Sequence, residues 1–153
     1  MELKMNVTTT LEGRVFQEAR KFYFIHLKVE AAIIRANYDW LKVDVKGKEL
    51  HGKGVIDVNG VQYHIELKYS PFYGGRMDRI FITNHKIKYH DDIHLYNSKP
   101  PTLCLYHPII DRPLFKLIPL HKMIPWITEW CHFYGEWEKY GVWLAPEVKH
   151  ITI

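Results

Sequence analysis

The sequence predicts an α+β domain, and three observations predict it. Apolar residues recurring at three- and four-residue steps mark a long N-terminal helix. Four runs of alternating polarity follow, joined by tight-turn signals, and a second helical repeat closes the chain after a long unpatterned stretch. At 153 residues the chain fits one domain, 1–153, long enough to bury a core.

Thr9 or Thr10 is placed to cap the first helix, with Glu12 and Glu18 near its positive end. Leu11, Val15, Ala19, Phe22, Tyr23, His26 and Ile33/Ile34 make its expected buried stripe, and it should end near Arg35-Ala36-Asn37. The first strand, Trp40 to Val45, puts Leu41, Val43 and Val45 on one side, and Lys46-Gly47-Lys48 turns the chain into a second, His51 to Val58. Asn59-Gly60 then stands between alternating runs, the pair favoured in a type I′ turn because both central residues need positive φ. The third strand sends Tyr63, Ile65, Leu67 and Tyr69 inward, and Gln62, His64, Glu66 and Lys68 outward. After Pro71 and Gly74-Gly75, Arg79 to Thr83 makes the fourth. Consecutive hairpins form an antiparallel meander, with one face free to be covered by the first helix.

Asn84 to Leu103 shows no regular pattern, and so long a loop within a domain points to function. In the second helix, Leu120, Met123/Ile124, Ile127, Trp130/Cys131, Tyr134 and Trp137 form the stripe. Pro119 or Pro125 suits its first turn, Lys139 its negative end, and Gly141 a left-handed stop.

Composition excludes several classes. With 47% hydrophobic residues the chain is no disordered tail. No apolar run approaches the ~18 residues of a membrane span. Met1 to Thr8 lacks a signal-peptide core. Two cysteines make no disulfide framework, so a reducing, cytoplasmic compartment is expected. The net charge of +4 comes from lysines interspersed with acids, which argues against a nucleic-acid partner.

Cys104 is the leading candidate for chemistry. A free Cys usually behaves as a small hydrophobe, but this one closes the unpatterned loop, between Pro100-Pro101 and Pro108. His94 lies ten residues upstream, followed by Leu95, Tyr96 and Asn97, and His107 lies just downstream. Cys131 falls on the apolar side of the second helix and reads as core, as do the helical tryptophans, with Trp126 off the main stripe. On a helix, His90 and His94 could chelate zinc with Asp91 or Asp92 as a third ligand, but their segment has no helical stripe and reads as a solvated loop, so no metal is expected.

A His, a ten-residue step and a Cys followed by Leu resembles the ubiquitin-conjugating enzymes, whose His-Pro-Asn motif precedes a thioester-forming cysteine at that step. Ile124-Pro125-Trp126-Ile127-Thr128-Glu129-Trp130, with Tyr134, Trp137, Gly141 and Trp143, narrows the likeness to bacterial ubiquitin-conjugating-like proteins of cyclic-oligonucleotide (CBASS) antiphage systems. The resemblance implies the ubiquitin-conjugating fold and a cysteine acyltransferase in which Cys104 forms a thioester. It also implies no cofactor. The implied partner is a bacterial cGAS/DncV-like nucleotidyltransferase, joined through its C-terminal residue, with cyclic-oligonucleotide synthesis regulated as a result.

His94 matches the motif His, which supports the loop. Leu95 and Tyr96 stand where the eukaryotic motif has Pro and the oxyanion-binding Asn. The Tyr96 hydroxyl or the displaced Asn97 is then the candidate substitute, and His107 a candidate for lowering the thiol pKa. The chain has no room for a fused activating enzyme and no nucleotide-binding glycine loop, so it does not account for charging. Two rival readings stand beside this one. One is a non-catalytic protein-binding module of the same fold. The other is a cysteine hydrolase using Cys104 with His94 or His107, for which no Asn/Asp orienter stands at a recognisable position.

Overall fold

A computed structural model describes residues 2–73, 75–105 and 118–144. The architecture is α+β in the expected order: α1 (Glu2–Asn37), strands β1 (Leu41–Lys46), β2 (Glu49–Val58), β3 (Val61–Tyr69) and β4 (Asp78–Ile82), two short strands β5 (Leu95–Tyr96) and β6 (Thr102–Leu103), and α2 (Leu120–Tyr140). The first four strands form an antiparallel meander in sequence order, and β5 pairs with β6 in a separate small sheet.

The meander follows from its turns and its alternation. Asn59 and Gly60 both take positive φ, 55° and 80°, and hold β2 and β3 in a hairpin whose last pair is Val58 with Val61. Tyr63, Ile65, Leu67 and Tyr69 are all buried on one face, as their period of two requires. At Gly54, opposite Leu41, a side chain would collide with the Trp40 carbonyl, so a glycine lets the two strands approach there.

α1 departs from expectation at its start and in its stripe. The helix runs through Thr9 and Thr10 rather than starting there. Ala19 is exposed and Phe22 is 57% exposed, while Leu27, Glu30, Ala31 and Ile34 form the buried line. The reason is length. Thirty-six residues of helix extend about 54 Å, whereas the longest strand, ten residues, extends about 34 Å. The N-terminal part of α1 therefore runs past the sheet, and burial begins where the sheet does.

α2 presents Leu120, Met123, Ile124, Ile127, Trp130, Cys131 and Tyr134 to the core. Pro119 occupies its N-cap position, and Gly141 ends it at φ 68°, donating its N–H to the Trp137 carbonyl at 2.8 Å. Pro125, expected as an alternative for the first turn, instead lies inside the helix. A proline there cannot donate to the carbonyl four residues back, that of His121. The Tyr38 hydroxyl, from the end of α1, donates to that carbonyl at 3.4 Å instead.

The two helices also share a buried carboxylate. Glu30 is 2% exposed and accepts the His121 backbone N–H at 3.0 Å and its Nδ1 at 2.8 Å. An anion from α1 thus satisfies an unpaired donor at the positive end of α2, where Pro119 offers no side-chain cap. His26 stands 3.9 Å from the same carboxylate and 2.8 Å from the Tyr69 hydroxyl. No helix among the described residues is long and apolar enough to cross a membrane.

Candidate functional site

The segment expected to lack regular structure contains a small hairpin that places the cysteine. Leu95 pairs with Leu103 and Tyr96 with Thr102. Carried one step further, this register sets His94 opposite Cys104, and the Cys104 N–H donates to the His94 carbonyl at 3.0 Å. The ten-residue step in the sequence is therefore a cross-strand neighbourhood. Opposed residues and residues two apart share a face, so His94, Cys104, Tyr96 and Thr102 belong to one side of the hairpin.

α2 anchors this pair. The Trp130 indole N–H donates to the same His94 carbonyl at 2.8 Å, so one oxygen joins β5, the cysteine strand and the helix. The His94 ring stacks on Trp143 at 5.3 Å, and Trp143 packs on Trp130 at 5.7 Å. His94 is thus fixed at both its backbone and its ring. Trp130 falls on the core stripe of α2 and is 3% exposed, yet its indole N–H also positions the loop. The available signal was that a buried Trp needs a partner for its N–H.

Arg76 is a second group the sequence did not single out. Its guanidinium lies 3.4 Å from the centre of the Tyr96 ring, and its Nη2 donates to Thr102 Oγ1 at 2.7 Å. It clasps the β5–β6 pair from the loop before β4. The Tyr96 hydroxyl is buried, whereas Asn97 is exposed. The Ser98 hydroxyl donates to the Pro100 carbonyl at 2.8 Å, closing the loop between the two short strands.

The two cysteines are in different environments. Cys104 is partly exposed and Cys131 is buried. Burial pushes the Cys131 thiol up to about 12, so it carries almost no thiolate at neutral pH and is a poor nucleophile. His107 lies outside the described residues. Among the described residues no group of three or more His, Cys, Asp or Glu is arranged to hold a metal ion. His90 sits 3.7 Å from Asp92, with its ring 4.9 Å from Trp137.

Comparison with known proteins gives one match. The family model described as Type II CBASS E2 protein matches residues 30–151, a span that includes every strand among the described residues, the His94–Cys104 hairpin and α2. No curated protein and no solved structure matches.

Proposed function

The chain belongs to the Type II CBASS E2 proteins, and from that premise we propose that it is a thioester carrier whose acceptor is Cys104. The observation that carries this reading is the pairing of Cys104 with His94, partly exposed at the end of a hairpin braced by Trp130. A carrier needs an accessible thiol on a fixed backbone and little more, because exchange between thioesters is nearly balanced in energy and needs no dedicated base.

In the step itself the Cys104 thiolate attacks the carbonyl carbon of an incoming thioester held by an activating enzyme. The new carbon–sulfur bond forms, the donor's carbon–sulfur bond breaks, and the donor sulfur leaves with the electron pair. The proton released by Cys104 returns to that thiolate through solvent. We assign the acyl group to the C-terminal residue of a bacterial cGAS/DncV-like nucleotidyltransferase, whose cyclic-oligonucleotide synthesis the linkage regulates. In a later transfer a lysine amine attacks the Cys104 thioester, an amide forms and the thiol is restored. Asn97, exposed where the Tyr96 hydroxyl is buried, is the side chain we assign to the developing oxyanion.

The test is mass spectrometry of the chain mixed with the nucleotidyltransferase and its activating protein. A Cys104 adduct cleaved by thiol and by hydroxylamine is expected, and Cys104→Ala should abolish it. An association that ignores reductant and survives Cys104→Ala would instead identify a non-catalytic binding module.

A further inference from the structure

Arg76 reaches the cysteine hairpin on the side where the Cys104 side chain stands. The cross-strand register puts Tyr96 and Thr102 on that side, two residues along from His94 and Cys104, and Arg76 holds both. Its guanidinium lies 3.4 Å from the centre of the Tyr96 ring, and its Nη2 donates to Thr102 Oγ1 at 2.7 Å. Two residues of strand span about 7 Å, which sets the guanidinium within roughly 10 Å of the thiol. The root of the side chain is fixed as well. The Arg79 guanidinium donates to the Arg76 carbonyl, and the Ser70 N–H donates to the Met77 carbonyl at 3.0 Å.

Among the described residues this cation has neutral partners. Beyond the ring and the hydroxyl, its Nε donates to the Asp78 backbone carbonyl at 3.0 Å, and no ion pair includes it. Arg76 is partly buried, and a charge withdrawn from water is costly to leave uncompensated. The ionisable groups around the cysteine do not supply the balance. His94 faces Cys104 across the hairpin, and the Tyr96 hydroxyl is buried beside it. β4 packs on β6; its Asp78 is buried without an ion pair to Arg76, and its Arg79 lies over the Tyr73 ring at 4.7 Å. From α2 come the Trp130 indole, which does not ionise, and the Cys131 thiol, which burial keeps protonated. His107 lies outside the described residues.

We infer that Arg76 is a positioning residue for the reactive form of Cys104: clamped on Tyr96 and Thr102, its fixed positive charge favours the thiolate on that face of the hairpin. The part this plays in acyl transfer rests on the carrier reading. In an exchange between thioesters one thiolate attacks and another leaves, so a cation held nearby favours both the group that reacts and the group that is released. Arginine suits the task. It stays charged at every pH at which a thiol ionises, and its planar fork can lie flat on an aromatic ring while bonding a hydroxyl at its edge. It moves no proton and touches no reacting atom.

The test is the rate of Cys104 alkylation by iodoacetamide in the full chain, followed by peptide mapping from pH 6 to 10. Arg76→Gln keeps a donor for Thr102 and removes the charge. It should raise the pH of half-maximal rate by about half a unit to one and a half units, the effect of one charge at this separation. Alkylation at pH 7 then slows by about threefold to thirtyfold. Arg76→Lys keeps the charge and should keep most of the rate. A clasp without electrostatic effect predicts the reverse: both variants loosen the hairpin, Cys104 alkylates faster, and the half-maximal pH stays in place. That result, or an equal rise in Arg76→Lys, overturns the inference. Should Arg76→Gln not fold, the unaltered chain decides, because its half-maximal pH must lie below the ~8.5 of an ordinary thiol, and a value at or above it overturns the inference. Charging separates this inference from the carrier reading. Adduct formation by Arg76→Gln should fall at pH 7 and recover toward pH 9. If the adduct forms and the half-maximal pH does not move, the Arg76 assignment fails and the carrier stands. If that pH moves as expected and no adduct ever forms, the carrier reading fails and Arg76 still tunes the thiol.

Discussion

Replacing Trp130 by Phe should loosen the cysteine hairpin, and the structure sets the size of the effect. The indole N–H donates at 2.8 Å to a carbonyl that keeps its second donor, the Cys104 N–H at 3.0 Å. No buried acceptor is left bare, so the lost bond costs only the net value of a neutral hydrogen bond, about 0.5–1.5 kcal/mol. Shrinking an indole that is 3% exposed to a phenyl ring removes roughly a further 1 kcal/mol of apolar burial. The total, about 1.5–2.5 kcal/mol, is read by urea denaturation. Benzothienylalanine at position 130 keeps the bicyclic ring and replaces only the N–H, so it should show the first term alone. In both variants the hairpin opens more often, and Cys104 should alkylate faster under native conditions, about fivefold for each 1 kcal/mol taken from local stability. A benzothienylalanine chain as stable as the original, with unchanged Cys104 alkylation, would show that the indole bond does not position the cysteine.

Cys131→Ser should cost about 1–3 kcal/mol by placing a hydroxyl in an apolar site while leaving the Cys104 adduct intact, and native alkylation followed by peptide mapping should label Cys104 and spare Cys131. Asn97→Ala should slow discharge of the charged thioester to free lysine by about tenfold to a hundredfold, whereas Tyr96→Phe should leave the rate unchanged; the opposite pattern would move the oxyanion donor to the tyrosine. Burial lowers the His26 pKa from 6.5, with Glu30 opposing and His121 assisting. The folded chain therefore binds this proton less well than the unfolded one, and the stability it contributes is present above about pH 6.5 and lost as the pH falls through the folded pKa. Denaturation midpoints across pH 5–7 should show that loss, and His26→Gln should reduce it.

Much of the fold was legible because local signals agreed with the global arrangement. Tyr63, Ile65, Leu67 and Tyr69 alternate as a one-sided strand must, and Asn59-Gly60 could hardly be anything but a tight hairpin. Gly141 behaves as a helix stop for the same local reason. What escaped was set at long range. Thr9 and Thr10 are good cap residues, but nothing in their own segment says whether a helix starts or continues there. Pro125 looked like a first-turn proline, because the hydroxyl serving the carbonyl it orphans comes from Tyr38, far away in the chain. The stripe of α1 was displaced because the sheet decides which residues are covered, and the helix outruns the sheet. At the site, the His94-to-Cys104 step was visible as a spacing and became a cross-strand contact. Arg76 and Trp130 were not visible as its supports, since each reaches the hairpin from a distant element.

The Glu30 clasp has a consequence for how the polypeptide can be shortened. The family match opens at residue 30, in the midst of α1, and that first position holds the carboxylate that ties down the beginning of α2. A fragment cut to the matched span would keep this anchor only as the fraying end of a clipped helix, where order is hardest to maintain. It would also lack His26, which lies beside the Glu30 carboxylate and the Tyr69 hydroxyl. The overhanging turns that match nothing else are, on this view, ballast that keeps residue 30 within a continuous helix. Trimming from the front should therefore be felt first at the far end of the sequence, in the opening turn of α2.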